Sequence, residues 1–353
     1  MKGFKRKKIY LLFFIMSLIA TTAIAKKDYS LEKRFASIAE DFINMVGNKR
    51  VILNWRGAKP KGFVIYYNQQ LEPSVLCFEV EKKNKNLGFI MVSSDGIIQE
   101  FSTLRPPHKW NIEPLRERAE GCINKEEKLG NPRFIWLGIS LYLVRFPVIE
   151  NNRTTGKITI DMRTNKIIDS MLSPYLKQIS LNPKQSPLNT PIISKIIPFP
   201  TYRLYISDIT TSISSLLAYY QRKGIINLDS SFEKIADKFS KAGCDCEPIK
   251  TTKRLLKSYG YSAQGQIFPY SFKCLKDEID RKRLAVLTVE AGGIKHSLLA
   301  RGYLKTDAGC WLLLNDQLPE EGTDNLSKGL SFYCIEEDRY SKLNLMTLRI
   351  TKG

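Results

Sequence analysis

The sequence predicts an α+β fold carried by two halves of unequal size. Three observations predict it. From residue 201 onward four helical segments come first and four strand-like segments follow. Before that, one amphipathic helix leads into several short strand-like stretches. Between the halves lies a segment without sustained period, residues 173–200, punctuated by Pro174, Pro183, Pro187, Pro191, Pro198 and Pro200. It reads as an extended connection, with the boundary near residue 190.

The chain opens with Lys2, Lys5, Arg6, Lys7 and Lys8, an apolar run from Ile9 to Ala20, and Ala23-Ile24-Ala25. A cationic start, a short apolar core and an A-x-A site are the three parts of a secretory signal peptide. Cleavage after Ala25 and a secreted or periplasmic location are therefore expected. The apolar run is shorter than the roughly 20 residues that span a bilayer. The alternative is an uncleaved leader acting as a membrane anchor. No later segment reaches spanning length, so no stable insertion is expected once the leader is gone.

Leu31, Phe35, Ile38, Ala39, Phe42, Ile43 and Val46 recur at helical steps and predict an amphipathic helix. Strands are expected at Gly62–Tyr67, Ser74–Val80 and Gly88–Val92, the last followed by a Ser93–Gly96 turn. A helical segment near Glu113–Asn124 precedes a strand pair at Trp136–Phe146 and Lys157–Met162, with a turn at Asn151–Gly156. In the second half, helices are expected at Thr210–Tyr220, Ser231–Lys241, Thr251–Ser258 and Phe272–Lys282. Strands are expected at Leu284–Val289, Ser297–Tyr303, Cys310–Leu314 and Gly329–Cys334.

The chain carries 55 basic and 35 acidic residues. Residues 26–200 hold 27 and 17 of them, so most of the excess lies in the first half. Such a surface suits nucleic acid, anionic lipid or an acidic polymer. No nucleic-acid motif accompanies the lysines, which are scattered singly, and no nucleic-acid partner is expected. Seven cysteines, Cys77, Cys122, Cys244, Cys246, Cys274, Cys310 and Cys334, predict some structural disulfides in an exported chain, with at least one thiol left over. Cys244-Asp-Cys246 lacks the second pair or histidine that a metal site needs, so no metal and no cofactor are expected.

Three signals in residues 201–353 then carry a resemblance. Thr211-Ser212-Ile213-Ser214-Ser215-Leu216-Leu217-Ala218-Tyr219-Tyr220 looks like an active-site helix. Ile294-Lys295-His296-Ser297-Leu298-Leu299-Ala300-Arg301-Gly302-Tyr303 looks like a histidine strand. Trp311-Leu312-Leu313-Leu314-Asn315-Asp316 looks like the strand bearing the group that orients that histidine. In this order they resemble papain-fold cysteine peptidases of the bacteriocin-processing and streptopain types, which are bacterial. The first half adds Leu76-Cys77-Phe78-Glu79-Val80 and Gly88-Phe89-Ile90-Met91-Val92-Ser93-Ser94-Asp95, similar to the streptopain-type propeptide that covers the cleft until it is removed. The resemblance implies a leader at 1–25, a propeptide-like α+β domain at 26–172, a linker at 173–200 and a papain-like domain at 201–353. Residues 133–170 look like a second small sheet unit with no assigned role.

Thiol-peptidase chemistry needs a thiolate at a helix N-terminus, a histidine to carry the proton and a third group to hold the imidazole. The resemblance gives His296 the second role and Asn315 or Asp316 the third. It places the nucleophile at Asp208, or at Ile209 with a one-residue shift; neither is a thiol, and no cysteine lies between Cys122 and Cys244. The glutamine expected about six residues upstream, which donates to the oxyanion, is also missing. Thr210, Thr211 and Ser212 offer hydroxyls near the helix start, where capping is their ordinary role. The expectation is therefore an inactive homologue that binds a peptide or protein. The alternatives are a peptidase with a non-cysteine nucleophile, or an inhibitor of a cognate cysteine peptidase acting through the first half.

Overall fold

The computed structural model describes residues 32–168, 193–198, 201–202, 208–228, 230–243, 247–306, 309–315, 326–327, 330–335 and 340–352. The expected signal peptide, most of the proline-rich connection, Cys244, Cys246 and Asp316 lie outside them. No helix among the described residues is long and apolar enough to cross a membrane.

The described chain is mixed α+β and dominated by one large sheet. Helix α1 spans residues 32–48 and buries Phe35, Ala39, Phe42, Ile43 and Val46, the three-and-four stripe of the sequence. A meander follows: β1 (Lys59–Tyr67), β2 (Pro73–Lys82), β3 (Lys85–Ser93) and β4 (Ile98–Ser102). After α2 (Glu113–Glu120) comes a second unit of β5 (Lys128–Leu129), β6 (Arg133–Trp136), β7 (Tyr142–Glu150), β8 (Arg153–Asp161) and β9 (Lys166–Ile167).

Within the proline-rich segment, β10 (Ile193–Ile196) is already a paired strand, and β11 (Thr201–Tyr202) follows it. The helices of the second half are α3 (Asp208–Arg222), α4 (Phe232–Lys241), α5 (Pro248–Ser258) and α6 (Phe272–Asp280). Ser231 and Ser271 cap α4 and α6 by accepting from backbone N–H groups three residues on. The strands are β12 (Tyr261–Pro269), β13 (Ala285–Ala291), β14 (Ile294–Thr306), β15 (Gly309–Asn315), β16 (Leu326–Ser327), β17 (Ser331–Cys334) and β18 (Lys342–Lys352).

The sheet does not stop between the halves. Its order runs β12-β18-β13-β14-β15-β17-β4-β3-β2-β1-β6-β7-β8-β9, with the junction at β17 and β4 pairing Ser331 with Ser102 and Phe332 with Phe101. β10 lies along the far end of β14, and only glycine fits where they meet. A Cβ on Gly302 would stand 2.6 Å from the Lys195 carbonyl oxygen. Burial follows the same continuity. α1 packs with β2–β4 of the first half and also with Leu304, Trp311, Leu313 and Phe332 of the second.

The cysteines correct one expectation. None of Cys77, Cys122, Cys274, Cys310 and Cys334 forms a disulfide. Cys77 is fully buried in β2. Cys334 pairs in register with Trp311, so Cys310, one residue away, leaves the opposite face of the sheet. Alkylation of the unreduced chain in denaturant is therefore expected to modify at least five thiols by mass; fewer would overturn this assignment.

Candidate functional site

Two glycines set the position of His296. β13 returns into β14 through Gly292 and Gly293, whose φ values of 58° and 77° are those of a type I′ hairpin turn. His296 follows three residues later, opposite Val289, and is 1 % exposed. α3 crosses this strand, and the Ser212 hydroxyl donates to the Ser297 carbonyl oxygen at 2.9 Å. That contact fixes the start of the helix over the histidine. Thr210, Thr211 and Ser212, the candidate hydroxyls, are all buried within α3.

Asp208 opens α3, where the helix dipole favours an anion. Its Oδ2 lies 2.5 Å from His296 Nδ1. The sequence therefore identified a pair that the fold does bring together. Asn315 is placed elsewhere. It pairs with Leu299 on β14, which strand alternation puts on the face opposite His296, and its Oδ1 accepts from Arg301 Nε at 2.5 Å. Asp316 lies outside the described residues.

A residue that sequence reasoning missed completes the cluster. Arg163, in the turn between β8 and β9, comes from the sheet unit that had no assigned role. Asp161 holds it twice: Oδ1 accepts from the Arg163 backbone N–H at 2.9 Å and Oδ2 from Nη2 at 3.1 Å. Arg163 Nη1 then reaches Asp208 Oδ2 at 3.2 Å and stands 2.6 Å from His296 Nδ1. The Arg163 and Asp161 side chains are 5 % and 4 % exposed. A D-x-R turn at the end of a strand was visible in the sequence, but nothing local connects it to a histidine 133 residues away.

Nδ1 of a histidine either donates one proton or offers one lone pair. With Nδ1–H donating to Asp208 Oδ2, that oxygen also accepts from Arg163 Nη1. The guanidinium's second arm is taken by Asp161. His296 Nε2 is then left with no hydrogen-bond partner among the described residues. Burial acts to raise the Asp208 carboxyl, but the His296 ring and the Arg163 guanidinium outweigh it and hold the group down at about 2. This is a closed ion-pair cluster. It holds a carboxylate, not a thiol, against the His296 imidazole.

The depressed carboxyl fixes the sign of a pH effect. Its contribution is fully present above about pH 4, the usual aspartate value, and is lost as pH falls through the folded value. Asp208→Asn is expected to cost about 2 kcal/mol at neutral pH, and the two proteins should converge near pH 2. Urea titrations at several pH values check this; a gap independent of pH would overturn it.

Among the described residues no group of three histidines, cysteines or carboxylates is placed to hold a metal. No protein-family model matches the sequence, and no curated protein matches it significantly.

Proposed function

We propose that the protein is an exported papain-fold homologue that has lost peptidase chemistry and acts by binding a peptide or protein. One observation carries the reading: a half-buried carboxylate, Asp208, opens the helix at the position the resemblance gives to the thiol and is paired with His296. A carboxylate there stabilises its neighbours and does not attack a peptide carbonyl. Arg163 of the first half takes the place beside Asp208 and His296. A partner is therefore met on outer surfaces and not at the histidine.

The test uses the purified full chain with a mixed peptide library and a thiol-directed peptidase probe. The expected results are no cleavage product and no labelling dependent on His296. Peptide cleavage that disappears in His296→Ala would overturn the proposal in favour of an enzyme with another nucleophile.

A further inference from the structure

One end of the first half carries a group of basic side chains. The β2–β3 hairpin turns at Lys83 and Asn84, with φ of 52° and 61°, and Lys82 faces Lys85 across it. Lys82 Nζ donates to the Arg56 carbonyl oxygen at 2.6 Å, which folds the loop after α1 over the hairpin tip. Gly47 packs against that same loop, since a Cβ there would lie 2.8 Å from the Arg56 nitrogen. The end of α1, with exposed Lys49 and Arg50, therefore joins the cluster.

Lys59 and Lys61 complete it and are the two lysines with acidic partners, Glu40 at 3.7 Å and Glu81 at 2.7 Å. A hollow of about 330 Å³ opens in the middle, lined by Lys59, Lys61, Lys82 and Lys83 with Glu81 and Asn84. In the loop that Lys82 holds, three residues before Arg56, Leu53 stands 70 % exposed, the most exposed large apolar side chain among the described residues.

We propose that this cap docks on the surface of an anionic membrane, with a phosphate headgroup in the lysine hollow and Leu53 in the interface. Charge alone would suit any polyanion. The protruding leucine favours a membrane, whose interface offers anions and apolar contact together. The inference does not depend on the fate of the histidine site.

Hydrogen exchange of the full chain, with and without vesicles, tests it. Phosphatidylcholine vesicles containing phosphatidylglycerol are expected to protect residues 49–61 and 81–86, and pure phosphatidylcholine vesicles are not. The readout is local, so attachment through another part of the chain does not imitate it. The triple variant Lys82→Glu, Lys83→Glu, Lys85→Glu, all at exposed positions, should lose that protection and bind roughly a hundredfold more weakly. Leu53→Ser should weaken binding with the charges intact. Equal protection by neutral vesicles, protection unchanged in the triple variant, or protection by soluble polyphosphate alone would overturn the proposal.

Discussion

Arg163→Met is expected to lower the unfolding free energy by about 3–5 kcal/mol at neutral pH, the usual consequence of removing one partner from a buried ion cluster. The guanidinium is 5 % exposed and spans Asp161 and Asp208. Without it, Asp161 loses its partner cation and Asp208 keeps only the His296 ring to oppose burial. Arg163→Lys should recover part of the loss, because one ammonium cannot present two donors in a fixed fork. The pH dependence separates charge from packing. In the variant, burial raises the Asp208 carboxyl with less opposing it, so the group takes up a proton at higher pH and the penalty is relieved. The deficit should be largest near neutrality, shrink below about pH 4 and fade near pH 2. A deficit that stays constant with pH would mean that Arg163 acts by filling space.

The parts of this site differ in how far the sequence reveals them, and chain distance explains the difference. Asp208 and His296 each lie inside a local pattern, a helix start and a strand start, and pattern survives in one dimension. Arg163 is positioned by a turn in one half and used in the other, so its role is a product of tertiary contact alone. Asn315 shows the same limit from the other side. Its strand was legible, but its face depends on pairing with Leu299, and a register shift of one residue reverses it. The helices were read well because their apolar period is local. β4 and β12 were missed. β12 is half exposed and carries Gly265 at its centre, so the alternation of Tyr261, Ala263 and Ile267 with Ser262, Gln264 and Gln266 is weakened. β18 was also missed: Leu343 and Leu345 alternate with Lys342 and Asn344, but the phase slips at Met346, after which Met346, Leu348 and Ile350 alternate with Thr347, Arg349 and Thr351. The separation into a propeptide-like part and a peptidase-like part came from a proline-rich stretch. Linker composition says nothing about whether a sheet crosses elsewhere, as it does at β4 and β17, where Ser102 and Ser331 are 229 positions apart.

Trp311→Ala is expected to cost about 4 kcal/mol, and the loss should be felt in both halves at once. The tryptophan belongs to β15, yet its neighbours are largely in the other half. It meets Phe42 of α1 edge-on at 5.2 Å and Phe101 of β4 at 6.2 Å. Its Nε1–H donates to the Ile98 carbonyl oxygen at 2.8 Å. Truncation opens a cavity where three elements converge and strands a buried carbonyl. Hydrogen exchange at residues 32–48 and at 213–217 should therefore accelerate together, with a single unfolding transition. Two separate transitions would show that the halves are independent bodies in contact. The distinction bears on what the first half is. A propeptide that is removed must leave behind a partner able to stand in water. Here removal would bare Leu304, Trp311, Leu313 and Phe332 and leave β17 as an unpaired edge, an apolar surface with a template for aggregation beside it. The half that supplies Arg163 to the histidine also closes the sheet and the core. In this protein, occupation of the site and stability of the fold are one property.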